Sequence, residues 1–387
     1  MSDIVDRWLR SNKKAFVDGQ ALRPRESPFL KGTALVTSRG QANVYFLHNG
    51  GRWILKKFLE GRKPDLTYIR AISKVLPKGH PGFESGTQRS VLESSCLSNT
   101  GYCHKELAQW LDETVLMLCV NGFDWAFWAD KLREGKNQFT KEQRLLLCKN
   151  LSEHIKVLEG NSISHRDLSS TNIMIDAQTW QVHLIDWDSL YRASLKMPGN
   201  TTFGTNGYIS PIVKRNGSED PNTTWRIGSD RFSLAVLNVE FLAMSNASPL
   251  TGDGGMFEQN ELYNRGGGGI KRVLTKVQSD FPDATSLFMQ ALQAKKFEDC
   301  PSPDDWIRFS GLGSKFEAPK LDDLYDPIKD LATFIQKWKP ITPKSVEPLD
   351  QAMPPVDWSS ITIRTHPPAQ PERQSPSLDD MPPLDWS

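Results

Sequence analysis

Cysteine is scarce and carries no pattern. The five (Cys96, Cys103, Cys119, Cys148, Cys300) are odd in number and nowhere spaced Cys-x-x-Cys. That argues against a disulfide framework or a zinc ribbon and for a reducing compartment. Long apolar runs are missing too. None approaches the ~18 residues of a membrane span, and residues 1–10 hold no apolar signal core. Neither a bilayer nor signal-peptide secretion is expected, and a cytoplasmic setting is. Charge of one sign is also lacking: 47 Lys and Arg against 46 Asp and Glu leave a net +1. Without a basic excess, nucleic acid and anionic membrane are not expected as partners.

What is present is ordinary globular composition, 38% hydrophobic and 24% charged over 387 residues, enough for two domains or for one domain with a tail. Proline marks the tail, since 13 of the 25 prolines lie in residues 311–387. From 341 onward three basic side chains face seven acidic ones. A stretch so acidic and so poor in aliphatic residues buries too little to offset its ordering entropy, so 341–387 reads as largely disordered. It nevertheless repeats itself: Met353-Pro354-Pro355-Val356-Asp357-Trp358-Ser359 returns as Met381-Pro382-Pro383-Leu384-Asp385-Trp386-Ser387. Apolar Met and Trp beside a stiff Pro-Pro brace suggest a docking motif presented twice.

Upstream, residues 33–58 pattern as short strands and 114–120 as a buried strand ended by Asn121-Gly122. Residues 141–159 carry helical apolar spacing, 173–175 and 182–185 make a hairpin, and 232–244 reads as a mostly buried helix. Strands come first and helices later, which predicts a two-lobed α+β fold.

Between that long helix and the hairpin stands His165-Arg166-Asp167-Leu168-Ser169-Ser170-Thr171-Asn172, and Asp186-Trp187-Asp188 follows the hairpin. Phosphoryl transfer is mainly positioning and charge neutralisation. It needs a carboxylate beside the acceptor hydroxyl and oxygen ligands for Mg²⁺. Asp167 suits the first task, Asn172 and Asp186 the second. A turn rich in Asx and Ser would share this composition. Five specified residues in order, however, arise by chance on the order of once in ten thousand chains of this length.

These motifs resemble those of the eukaryotic-type protein kinase superfamily over about residues 30–312. The resemblance implies a bilobal kinase-like fold: an extension at 1–29, a β-rich N-lobe at 30–120, a mostly helical C-lobe at 121–312 and a Pro-rich tail at 313–387. It implies ATP and Mg²⁺ as cofactors and a serine/threonine protein kinase activity, with Asp167 as the catalytic aspartate, Asn172 and Asp186 as metal ligands and Lys56 as the phosphate-pairing lysine. Gly40 and Val44 fall in the glycine-loop region, Met117 at the back of the adenine pocket, Leu118 and Val120 in the hinge, Asp124 at the ribose and Met174 on the pocket floor. Residues 204–211 resemble the end of an activation segment, and Asp230 resembles the aspartate that braces the catalytic loop.

The pattern also departs from the family. Gly40 is the one glycine in its loop, Ser169 stands where a lysine is common, and Asp188 replaces the glycine after the metal ligand. Ile212 and Cys300 replace both halves of a buried ion pair, a joint loss that is close to neutral. No glutamate is evident for Lys56; Glu84 and Glu93 are the candidates, and 65–76 is helical in pattern with no acid beyond its first residue. Arg166 is expected to receive a phosphate placed on the activation segment, at Thr201 or Thr202, and His80 and His104 read as surface-loop residues. The loop and Ser169 leave a nucleotide-binding pseudokinase scaffold as an alternative. Asp188 leaves a small-molecule kinase, similar to aminoglycoside and choline kinases. The departures together resemble divergent bacterial protein kinases, which implies a von Willebrand A-type protein as acceptor or partner and a metal-dependent phosphatase as counterpart.

Overall fold

Period-two patterning sorts the N-terminal third into two faces of one sheet. The computed structural model describes residues 3–39, 41–48, 53–97, 105–134, 139–199, 203–215, 218–243 and 255–313. Gly40, His104, Thr201, Thr202 and the tail from 314, with both repeats, lie outside the described residues. The N-lobe runs α1 (Asp3–Arg10), β1 (Ala15–Val17), β2 (Gln20–Pro24), β3 (Val36–Arg39), β4 (Ala42–His48), β5 (Trp53–Phe58), α2 (Leu66–Val75), α3 (Glu84–Thr87), β6 (Arg89–Val91), α4 (Lys105–Leu111) and β7 (Val115–Leu118). Its antiparallel sheet has the order β1-β2-β4-β5-β7-β6, with β3 paired to β4.

Register fixes which side chains share a face, because directly opposed residues project to the same side. Lys56 lies opposite Val44 and Val115, Ile54 opposite Met117, and Met117 opposite Arg89. That face turns to the C-lobe. On the other face Tyr45, Leu47, Leu55 and Leu116 pack with Val5, Trp8, Val17, Leu22 and Trp110 into a second core. Residues 3–24, expected as part of an extension, are therefore an edge of the sheet and a wall of its rear core. Lys57, one residue along β5, points rearward and donates to the carbonyls of Trp110 and Asp112 at 2.6 and 2.7 Å.

The C-lobe comprises β8 (Phe123–Asp124), α5 (Trp125–Arg133), α6 (Lys141–Gly160), β9 (Ile163–Ser164), β10 (Ile173–Asp176), β11 (Gln181–Leu184), β12 (Tyr191–Arg192), α7 (Arg231–Ala243), α8 (Gln259–Tyr263), α9 (Gly268–Asp280), α10 (Pro282–Gln293) and α11 (Pro303–Ser310). Thr140 and Gln143 close a capping box at the start of α6, and of its spaced apolar positions Cys148, Leu151, Ile155 and Leu158 are buried while Leu145 is half-buried. α6 packs against α7 and α11. The β10–β11 hairpin is antiparallel, Ile173 opposite Leu184. Ile212 and Cys300 both belong to this lobe's apolar core. Among the described residues no helix is long and apolar enough to cross a membrane.

Candidate active site

The loop from His165 to Asn172 is shaped by one buried carboxylate. Asp230, just ahead of α7, accepts the backbone N–H of His165 at 2.6 Å and of Arg166 at 2.7 Å. Arg166 takes a left-handed backbone, φ 69°, a strained choice for a non-glycine residue that this brace maintains. Burial lifts Asp230 to about 7, against the pull of its two backbone donors. His165 is buried too, which holds its pKa down at about 4 and the ring neutral. Its Nε2 lies 2.9 Å from the Ile185 carbonyl, and a carbonyl only accepts, so the proton sits on Nε2. That bond ties the loop to the strand leading into Asp186.

Two side-chain groups form beside this loop, Lys56 with Asp186 and Asp188, and Asn172 with Asp167. Lys56 Nζ donates to Asp186 Oδ1 at 2.6 Å and to Asp188 Oδ2 at 2.7 Å. Asn172 donates through Nδ2 to the Asp167 carbonyl at 2.8 Å and to Asp167 Oδ2 at 3.1 Å. The Asn172 carbonyl accepts from Ile185 N at 3.0 Å, which fastens the loop beside the 186–188 turn. Burial raises Asp167 to about 6, the nearby Asp186 charge adds to this, and donors from Thr205 and Asn172 pull it back. Burial disfavours the Lys56 ammonium, yet Asp186 and Asp188 outweigh burial and raise its pKa.

The two aspartates of the 186–188 turn have separate jobs. Asp186 is in the left-handed region, φ 60°, and its side chain is 42% exposed, which leaves its carboxylate open to solvent. Asp188 is nearly enclosed, with Oδ1 taken by Arg89 Nη2 at 2.8 Å and Oδ2 by Lys56. Burial opposes its charge, but the two cations hold its carboxyl well below the usual range. Neither Glu84 nor Glu93 reaches Lys56. Glu84 accepts from Gly82 N and pairs with His183 Nδ1 at 3.0 Å, and Glu93 pairs with Arg70.

Other expected site residues divide. Val44 and Met117 share the sheet face of Lys56, and Met174 on β10 is half-buried opposite Asp124 of β8. Asp124 is almost fully buried and caps α5, accepting from Phe127 N at 2.8 Å. A helix cap, rather than an open contact for a ribose, is what its carboxylate provides here. The Leu118 amide is also spent, donating to the Gln88 carbonyl at 3.0 Å. Val120 is half-buried just beyond β7, with Cys119 Sγ 3.7 Å from its carbonyl. Ser169 is buried beside Thr171, their hydroxyls 3.2 Å apart.

Arg166, expected to await a phosphate, is occupied. It donates to the Thr224 carbonyl and hydroxyl and to the Ser189 carbonyl, and its guanidinium lies over the Trp225 ring at 4.8 Å. His80 is half-buried rather than a free surface residue, its Nε2 3.0 Å from His154 Nδ1. Sequence reasoning missed Arg89 and Thr205. Thr205 donates to Asp167 Oδ1 at 2.8 Å. A hydroxyl inside the 204–211 motif was a visible signal for it; Arg89 had none until the Asp188 charge demanded a partner.

For a metal, the donor set is sparse and hard: one exposed carboxylate, Asp186, and one amide, Asn172. Among the described residues no three His, Cys, Asp or Glu side chains gather into a metal cage. That suits Mg²⁺, which keeps waters and phosphate oxygens and takes few protein ligands.

Comparison with known proteins points to one family. The family model described as the protein kinase domain matches residues 103–305, starting at the end of the N-lobe and leaving Lys56 to be located by the fold. Serine/threonine-protein kinase PLK4 of Danio rerio is 30% identical over 118 residues, 30% of this chain. The match spans 12% of that relative's length. With half the chain matched by the family model, the chain belongs to the protein kinase family.

Proposed function

We propose that this protein is an ATP- and Mg²⁺-dependent kinase that transfers the γ-phosphoryl group to serine or threonine hydroxyls of a protein. One observation carries the reading: Lys56 and Asp186, 130 positions apart, touch at 2.6 Å, and the loop bearing Asp167 and Asn172 is fastened to the same turn. Asp186 and the Asn172 amide oxygen are the groups suited to hold Mg²⁺. The bound ion would neutralise phosphate charge that water otherwise screens. Lys56 supplies a fixed cation for the phosphates. Asp167 orients the acceptor hydroxyl and takes its proton, and its pKa of about 6 leaves it mostly ionised at neutral pH yet basic enough to accept.

Ser169 supplies no cation between Asp167 and Asn172, so turnover is expected to be slow rather than absent. The small-molecule reading rests on a carboxylate at 188 in place of glycine; here that carboxylate pairs with Lys56 and Arg89, a role that needs no small-molecule acceptor. Mass spectrometry after incubation with Mg²⁺ and ATP, beside Asp167→Ala, tests the proposal. Phosphoserine or phosphothreonine on the wild type alone is the expected result. ATP binding with no transfer to protein would move the assignment to a pseudokinase scaffold.

A further inference from the structure

A buried ammonium that must meet phosphates needs a fixed carboxylate to aim it. Helix α2 presents none: its residues Leu66–Val75 contain no acid, and Tyr68 on it donates instead to the Leu190 carbonyl. Asp188 occupies that gap. Its Oδ2 holds Lys56 Nζ at 2.7 Å and its Oδ1 holds Arg89 Nη2 at 2.8 Å, with side-chain exposures of 12%, 11% and 2% for Asp188, Lys56 and Arg89. With Asp186, two carboxylates face two cations, so the cluster is charge-balanced. Arg89 is retained although its Nε is buried without a hydrogen bond among the described residues. An interior cation kept on those terms points to a task other than packing.

The backbone around the cluster is fastened from both sides. Leu184 N donates to the Gly82 carbonyl at 2.9 Å, Ser85 Oγ donates to the Leu184 carbonyl at 2.9 Å, and Trp187 Nε1 donates to Ser85 Oγ at 3.1 Å. Residues 82–89 are thereby docked on β11 and the 186–188 turn. A Cβ on Gly86 would stand 2.8 Å from Trp187 Cδ1, so that docking is close. Arg89 and Asp188 are thus delivered to each other by segments already joined.

Building on the kinase reading above, we propose that Asp188 is the positioning residue for Lys56, with Arg89 as its buried counter-charge, so that one turn both aims the lysine and presents Asp186 to the nucleotide. The lysine is then set by the C-lobe, with no carboxylate contributed by α2.

The full-length chain tests this through Asp188→Asn, Arg89→Met, the double variant and Asp188→Glu. Melted without nucleotide, each single substitution lowers the midpoint by at least about 5 °C because a buried charge is stranded. The double variant melts above Asp188→Asn. In phosphate-transfer assays the double variant still loses about a hundredfold in kcat, while its ATP affinity by calorimetry changes less than about fivefold. Asp188→Glu recovers part of the rate. Wild-type kcat in the double variant, or melting effects that merely add, would overturn the proposal. A wild type that transfers no phosphate would instead defeat the kinase reading, while the nucleotide-free melting cycle still decides whether the ion cluster exists.

Discussion

Asp167 sits between opposing influences, and its titration is where the chemistry is most exposed to test. Burial and the Asp186 charge raise it to about 6, while donors from Thr205 and Asn172 stabilise its anion. A base must be ionised to take a proton, so kcat/KM is expected to rise with pH through a midpoint near 6. Replacing Thr205 by Val removes one donor from the anion and moves that midpoint upward. A hydrogen bond of about 1 kcal/mol corresponds to a displacement of roughly 0.5–1 pH unit. A pH–rate profile for Thr205→Val with an unmoved acid limb would remove Thr205 from the base's environment. At this scale the candidate residues could be picked out because each is embedded in a local motif: Asp167 and Asn172 in one loop, Asp186 after a hairpin strand, Lys56 within a strand. The partner of Lys56 was not legible. It depends on a through-space meeting of residues 56, 89 and 188, and no spacing or periodicity encodes that.

Strands and helices were legible where period alone sets them, as in β5, β7, α6 and the β10–β11 hairpin. Glu240 shows what period misses. It lies within the apolar run of α7, fully buried, and gathers Tyr208 Oη at 3.0 Å, Trp125 Nε1 at 3.0 Å and Met256 N at 2.8 Å. One side chain thereby joins α7 to α5, to the 204–211 segment and to the start of the stretch leading to α8. Burial raises its pKa from 4.5 to about 7, against those donors. A carboxyl raised in the folded state contributes its stability in full below the unfolded pKa and loses it as pH climbs through the folded value. The wild type should therefore lose stability from this group between about pH 4.5 and 7, by an amount on the order of 3 kcal/mol. Glu240→Gln cannot ionise. It carries a constant offset from the lost acceptor, and its melting temperature should fall less steeply with pH over that window. Parallel pH–melting curves for the two proteins would mean that Glu240 is not held protonated.

Across the whole molecule, the site depends on a core it does not touch. β5 is a shared wall: Lys56 projects into the cleft, and Leu55 projects rearward into the cluster with Trp8, Val17 and Leu22. That rear cluster is closed by α1, β1 and β2, the segment that the family resemblance assigns to an extension. Its strands are short, and only pairing reveals them, β1 with β2 at Ala15 opposite Leu22 and β2 with β4 at Arg23 opposite His48. Trp8 is completely buried, and its Nε1 donates to the Lys13 carbonyl at 3.2 Å. Trp8→Ala should cost about 3–5 kcal/mol, although the residue lies on the far face of the sheet from Asp167. A chain starting at residue 30 also loses Val5, Val17 and Leu22, and the Leu47–His48 end of β4, which β2 covers and β3 does not, is bared for pairing with other chains. Such a protein is expected to aggregate and to transfer little phosphate, because β5 then keeps only the α4 side of its rear core, Leu107, Trp110 and Leu111, to hold Lys56 at the height of Asp186. The check is direct: size-exclusion profile, melting curve and phosphate transfer for the shortened chain beside Trp8→Ala. A monomeric, cooperatively melting, active protein lacking residues 1–29 would show that the rear core is dispensable and that the front face of the sheet sustains itself.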